Sequence, residues 1–306
     1  MSDKATRDSF GEALKELGAE NAKIVVLDAD LSVSTKSVHF GKAYPERFFQ
    51  MGIAEQNMVG TAAGLAFTGF IPFACSFGCF LAGRYETIRV SVGYSKANVK
   101  IVGTHSGLGT GEDGYTQMAL EDINVLRALP GLTILQPSDD ITTRAAVKFA
   151  AAHVGPVYLR LTRQKLPAIH KASSFEPWKG IVVKEGGTEV ALLASGATVS
   201  ESLKASEKLS RLNPWVVDFH TIKPIDANLI LKLAKTCKKL VTVEDHNIIG
   251  GLGTSVAEVL AEAGSSTPLI RLGVQDTYGE SGIAQDLYEK YGISAGKIAA
   301  RVQEAF

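Results

Sequence analysis

Four stretches of the 306-residue chain concentrate side chains able to bind or transform a ligand. They are Asp28-Ala29-Asp30-Leu31-Ser32-Val33-Ser34, Gly52-Ile53-Ala54-Glu55-Gln56-Asn57, Thr104-His105 through Gly114, and Arg160-Leu161-Thr162-Arg163. Glu55 is the most informative residue among them. It opens a helical pattern, and the next 28 residues, Gln56 to Gly83, carry no charge. A carboxylate in the first turn of a helix is ordinarily explained by the helix dipole. In surroundings this apolar it also needs a specific partner, because an unpaired buried carboxyl is costly. No neighbouring Arg or Lys in sequence supplies one.

The segment His105 to Tyr115, HSGLGTGEDGY, holds four glycines, a composition that lets backbone approach a ligand closely. It lacks the terminal Gly-Lys-Ser/Thr of a Walker A loop. His105 and Asp113 can do acid–base or hydroxyl-binding work there, or simply belong to a well-bonded turn. Arg7, Arg160 and Arg163 are candidate phosphate clamps, since the guanidinium fork matches phosphate oxygens. Phe73, Phe77 and Phe80 are either core residues or walls for a flat heteroaromatic ring. Cys75 and Cys79 without a neighbouring His or further Cys make a poor metal site. Gly250-Gly251-Leu252-Gly253 precedes a helix and can bind an anion or merely form a tight helix entrance. Glu244-Asp245-His246 beside it is suggestive, with no role assigned.

Short β-branched runs must carry these residues. KIVVLDAD, IPFACS, NVKIVGTH, GLTILQP and GPVYLRL read as strands. Between them, RDSFGEALKELGAE, AEQNMVGTAAGLAF, the segment from Phe80 to Ser91, TQMALEDINVLRAL and SDDITTRAAVKFAAA have helical spacing, with Ser138 or Asp139 as N-cap of the last. Such alternation implies a mostly parallel sheet with helices on both faces, and functional groups at the carboxyl ends of its strands. Gln164 to Gly187, with Pro167, Ser173, Ser174, Pro177 and a Gly pair, reads as a linker. The alternation then resumes through TEVALLASG, WVVDF, KLVTVED and PLIRLG. The expected fold is α/β with two domains, residues 1–175 and a smaller one over 176–306.

Composition narrows the class. Thirty-two basic and thirty-two acidic residues cancel, which argues against a nucleic-acid partner. Three cysteines cannot all pair, so a disulfide scaffold is not expected. The polar first residues favour a cytoplasmic location. The uncharged Gln56–Gly83 stretch is long enough to span a bilayer, but Pro72 and its glycines favour a buried helix–strand–helix near a subunit interface instead.

The segments Asp28-Ala29-Asp30-Leu31, GIAEQNM (Gly52 to Met58), THSGLGTGEDG (Thr104 to Gly114) and LTRQKLP (Leu161 to Pro167) stand in the order found in transketolases. The chain resembles the carboxyl-terminal half of a transketolase over essentially its whole length, with VVDFHTIKPID and EDHNIIGGLG in the second domain. The resemblance implies a pyrimidine-binding domain for thiamine diphosphate and then a C-terminal domain. Glu55 matches the glutamate that bonds the aminopyrimidine, Phe77 and Phe80 the aromatics that wall it, and Asp30 an aspartate near the cofactor. Arg7, Ser34, His105 and Arg163 match the residues that hold the sugar phosphate, and Asp113 one that bonds a substrate hydroxyl. Glu55, His105 and Asp113 are therefore the expected catalytic residues, and no metal ligand is expected in this chain.

Family members bind the pyrophosphate and its metal through Gly-Asp-Gly followed by Asn, and no Gly-Asp-Gly occurs here. The resemblance thus implies a split enzyme. A separate N-terminal, pyrophosphate-domain subunit would hold thiamine diphosphate with Mg2+ or Ca2+, in an α2β2 heterotetramer acting on sugar phosphates. Gln117 stands where many transketolases have His, and Gly83 where a tyrosine often flanks the cofactor. Other readings are a subunit of a deoxyxylulose-phosphate synthase-like or 2-oxoacid dehydrogenase beta-like enzyme, or a non-catalytic regulatory half.

Overall fold

The structure, a computed structural model, describes residues 3–171 and 174–306. Ser173 of the expected linker lies outside the described residues. Fourteen strands run through the described residues. The first eight are β1 (Lys4–Ala5), β2 (Ile24–Asp28), β3 (Phe48–Gln50), β4 (Ile71–Phe77), β5 (Lys100–Thr104), β6 (Thr133–Leu135), β7 (Val157–Arg160) and β8 (Lys165–Leu166). The remainder are β9 (Ile181–Lys184), β10 (Val190–Ala194), β11 (Trp215–Asp218), β12 (Thr221–Lys223), β13 (Lys239–Asn247) and β14 (Leu269–Val274).

A seven-stranded sheet in the order β12-β6-β7-β5-β4-β2-β3 forms the first layer system, and all its pairings are parallel except β12 on β6. A five-stranded sheet follows in the order β14-β13-β10-β11-β9, with only β9 antiparallel. The α/β class and mostly parallel sheets are as expected. The strands of the first sheet are apolar on both faces because both are covered. Successive residues of β4 show it: Phe73 and Cys75 pack with Phe10, Leu14 and Val147 on one side, Ala74 with Met58, Ala62 and Ile101 on the other. The second cluster continues into Ala191, Leu193, Val217 and Leu252, so one core joins the two sheets.

Several local expectations need correction. Thr221–Lys223 follows a second-sheet strand yet adds an edge to the first sheet. The linker reading was too long, because β8 pairs with β1, and β9 already belongs to the second sheet. TQMALEDINVLRAL is α-helical only over Asp122–Arg127, after a single 3-10 turn at Tyr115–Gln117. Its first part is held otherwise: Ala119 bridges to Ser106 and gives its carbonyl to Arg160. Phe80 to Ser91 is broken into Gly78–Ala82, Tyr85–Thr87 and a widened π-helical segment Ile88–Tyr94, with Arg84 non-helical between the first two. Asp139 is the N-cap of Asp140–Ala152 and forms a reciprocal capping box with Thr142. Among the described residues no helix is long and apolar enough to cross a membrane. The uncharged stretch is not uniformly buried either: Phe67 is 65% and Phe70 38% exposed.

Candidate active site

The carboxyl ends of β2, β4, β5 and β7 deliver Asp28, Phe77, Thr104 and Arg160 to one end of the first sheet. Asp28 shapes the loop after β2. Its carboxylate accepts from the Leu31 N–H at 2.7 Å, Thr35 Oγ1 at 2.8 Å and Ser37 Oγ at 2.7 Å. Burial pushes its pKa up, and those donors partly pull it back. Asp30, by contrast, is exposed and sits at φ +65°, with its N–H donated to Gln50 Oε1 at 2.7 Å.

Glu55 begins the helix Glu55–Phe67 and is only 4% exposed. The partner demanded by that burial is a hydroxyl: Ser76 Oγ donates to Glu55 Oε1 at 3.0 Å. Glu55, Asn57, Gly60, Thr61 and Arg84 line an open cavity of about 800 Å3. Ser76 precedes Phe77 on β4, so the carboxyl and the aromatic group share one strand end. Phe77 stacks on Phe80 with centroids 5.4 Å apart and on the His105 ring at 3.7 Å.

His105 is buried and held at φ +54°. Its Nδ1 lies 2.9 Å from Thr104 Oγ1, and its Nε2 lies 3.0 Å from Arg7 Nη1. The Arg7 guanidinium has no lone pair with which to accept, so it donates and Nε2 carries the lone pair. The pKa of His105 is pushed down to about 3, first by burial and then by the charges of Arg7, Arg163 and Lys36. The ring is therefore neutral at ordinary pH, with both nitrogens engaged. Arg7 also donates to the Ser34 carbonyl at 3.1 Å, while its buried Nε has no hydrogen-bond partner among the described residues. Ser34 thus enters the cluster through its backbone.

Arg163 extends along the glycine-rich loop. It donates to the Thr110 carbonyl at 2.5 Å and lies 3.4 Å from Glu112 and 3.5 Å from Asp113, both exposed. The structure brings Arg7, Ser34, Phe77, Phe80 and His105 into one set of contacts and pairs Arg163 with Asp113 on the loop. Asp30 takes no part in these contacts. Lys36 and Ser76 were missed: Ser76 lies inside a strand pattern, and Lys36 is one more basic residue until its loop is folded.

Two candidates from the sequence are corrected. Arg160 is not a phosphate clamp. It is 2% exposed, donates to Asp122 Oδ2 at 2.8 Å and to the carbonyls of Ala119 and Asp245. The Gly250–Gly253 helix entrance is not an open anion site, because Glu244 already accepts from the Leu252 and Gly253 N–H groups at 2.7 and 2.9 Å. Among the described residues no three His, Cys, Asp or Glu side chains gather as metal ligands.

Comparison with known proteins is consistent with this arrangement. Residues 2–168 match the transketolase pyrimidine binding domain and residues 179–298 the transketolase C-terminal domain. The chain is 45% identical to the putative transketolase C-terminal section of Methanocaldococcus jannaschii, over 98% of this chain and 96% of that protein. It is 39% identical to a 6-deoxy-6-sulfo-D-fructose transketolase subunit of Clostridium sp. (strain MSTE9), over 97% and 93%. It is 36% identical to 1-deoxy-D-xylulose-5-phosphate synthase of Caldanaerobacter subterraneus subsp. tengcongensis, of which it spans only 48%. Among solved structures, one described as a split gene transketolase, inactive beta4 tetramer, superposes with a TM-score of 0.90 at 48% identity, covering 98% of both chains. The fold and these matches define a chain of the thiamine-diphosphate enzyme class. The chain belongs to the transketolase family and is similar over its full length to members that exist as separate C-terminal sections.

Proposed function

We propose that this chain is one subunit of a two-chain transketolase. The reaction would move a two-carbon ketol unit from a ketose phosphate, such as xylulose 5-phosphate, to an aldose phosphate, such as ribose 5-phosphate. The observation that carries the reading is Arg7 donating to a buried His105 that stacks on Phe77, next along β4 from the buried Glu55–Ser76 pair, with Arg163 on the adjoining loop. Arg7 and Arg163 beside an uncharged ring suit a substrate that brings its own negative charge.

The residues present suit thiamine diphosphate. A buried carboxyl opening onto a cavity can bond a ring nitrogen, and Phe77 with Phe80 offers a flat apolar wall. When bound, that cofactor supplies the carbon nucleophile and electron sink for carbon–carbon bond cleavage. Glu55 would hold a proton against the aminopyrimidine nitrogen, with Ser76 fixing the carboxyl. Arg7 and Arg163 would anchor the substrate phosphate, and His105 would accept from Arg7 and orient it rather than donate a proton. Asp113 would meet a substrate hydroxyl. Orientation of this kind is worth several kcal/mol of barrier, roughly 7–11 at most.

The pyrophosphate and its Mg2+ or Ca2+ would be held mainly by a separate N-terminal subunit, since this sequence has no Gly-Asp-Gly. Exposed Val33 and Ile53, in the loops beside Asp30 and Glu55, suit a covering partner, in an α2β2 assembly. The sulfo-sugar named for one relative favours a second reading of the donor, in which the distal anion is a sulfonate.

The test is ketol transfer with thiamine diphosphate and Mg2+, using this chain alone and mixed with the pyrophosphate-domain protein of the same genome. Transfer only in the mixture, abolished by Glu55→Ala, is the expected result. Release of carbon dioxide without ketol transfer would replace the reading with a decarboxylating enzyme.

A further inference from the structure

Asp245 reaches from the second sheet into the glycine-rich loop of the first. It lies near the end of β13 and is 2% exposed. Its Oδ1 accepts from the Leu108 N–H at 2.7 Å. Its Oδ2 accepts from the Gly109 N–H at 3.2 Å and from the Tyr288 hydroxyl at 2.7 Å. The Tyr288 hydroxyl in turn accepts from the Gln164 amide at 2.7 Å, and Gln164 directly follows Arg163. The Asp245 carbonyl takes a hydrogen bond from Arg160 at 3.1 Å. Gly107 packs directly on the carboxyl at φ +87°, leaving no room for a Cβ. The anchored amides lie between His105 and Asp113 in the chain.

We propose that Asp245 is a positioning residue, clamping this loop so that His105 and Asp113 stand correctly for the sugar. The role rests on the ketol-transfer reading above, and it gives the second sheet a part in the reaction. A carboxylate is the group the position requires. Two N–H groups and one hydroxyl converge on it as donors, and an amide would have to turn its own NH2 against one of them. Asp245→Asn therefore breaks one anchor while keeping shape and volume.

The test uses the full chain, with its partner subunit for kinetics. In Asp245→Asn the KM for the ketose donor should rise about tenfold or more, the scale of one lost charge-assisted bond. The kcat should stay within about threefold and the half-saturating thiamine diphosphate within about twofold, because the Glu55–Ser76 pair lies on other elements. Hydrogen exchange at the Leu108 and Gly109 amides should quicken about tenfold or more, while Leu240–Val243 of the same strand keep wild-type protection. Tyr288→Phe removes one donor and should move the same quantities less far; it serves if Asp245→Asn does not fold. Unchanged exchange at Leu108 and Gly109 overturns the clamp. Quickened exchange with an unchanged donor KM, or exchange quickened throughout the second sheet, overturns the positioning role. If the wild-type mixture transfers no ketol unit, the functional reading fails separately, and the exchange result still upholds or overturns the hold of Asp245 on the loop.

Discussion

Arg7 Nη1 donates to Nε2 of His105 at 3.0 Å, and that bond decides which form of the imidazole the site contains. A guanidinium cannot accept, so Nε2 keeps its lone pair and Nδ1 holds the proton toward Thr104 Oγ1 at 2.9 Å. The Phe77 ring stacked at 3.7 Å fixes the plane. His105 is thus an acceptor that aims a cation.

This predicts that His105 stays neutral down to about pH 4, consistent with burial and three nearby cations pushing its pKa down to about 3. The unfolded chain takes up that proton near pH 6.5. Its contribution to stability is therefore present above about pH 6.5 and is lost as pH falls toward 3. Imidazole nitrogen shifts in NMR should show one protonated Nδ1 through that range. Arg7→Met should move the midpoint upward. A wild-type midpoint near 6.5 would contradict the tautomer and the charge arrangement together.

Arg163 should matter for the charged end of the substrate. In Arg163→Ala the KM for a phosphorylated donor should rise ~10–100-fold, the scale of one or two charge-assisted hydrogen bonds, with a much smaller change for an unphosphorylated ketose. Steady-state kinetics of the reconstituted enzyme with both donors checks this. Equal losses for both would mean that Arg163 acts by holding the Thr110 carbonyl and Asp113 instead.

Arg160 should matter for stability. Asp122 is fully buried and accepts from both Arg160 Nε at 2.8 Å and Tyr158 OH at 2.6 Å. Arg160→Met leaves that carboxylate short of its charged partner and should cost about 3–5 kcal/mol. Urea unfolding monitored by circular dichroism measures it. Unchanged stability with a raised substrate KM would return Arg160 to the binding site.

The contrast between these two arginines marks how far the sequence could be read. The strands were legible as short apolar runs because both faces of the sheet are covered, as Phe73, Ala74 and Cys75 show. The burial of Glu55 was legible from the absence of charge after it, but its partner Ser76 was not, since a serine inside a strand carries no local signal. Arg160 and Arg163 are three residues apart and look alike in sequence. One faces Asp122 and two carbonyls in the core, and the other follows the loop outward. Only the packing of β7 against the helix Asp122–Arg127 separates them. The same holds for Glu244 and Asp245: adjacent carboxylates on β13, one capping the following helix Leu252–Glu262 and the other crossing to Leu108.

His170 gives the fold a pH-dependent contribution at the junction of the two sheets. Its side chain is 3% exposed, and its Nε2 lies 2.9 Å from Asp218 Oδ2 at the end of β11. Ser138 Oγ donates to the same oxygen at 2.6 Å. Burial alone would lower the His170 pKa; the bond and charge of Asp218 outweigh it, and the net shift is upward. The folded chain therefore holds this proton more tightly than the unfolded one. The stabilisation is complete below about pH 6.5 and is lost as pH rises through the folded value. Lys100 works in the opposite direction over the alkaline side, since burial pushes its ammonium down to about 7, and stability from that source grows as pH rises above it. The difference between wild type and His170→Gln isolates the histidine, because the glutamine keeps a donor but does not titrate. Urea unfolding from pH 5.5 to 8.5 should show wild type losing its advantage over His170→Gln as pH rises. A constant difference across the range would mean that the Asp218 contact holds His170 in one protonation state, and that the junction does not respond to pH through this pair.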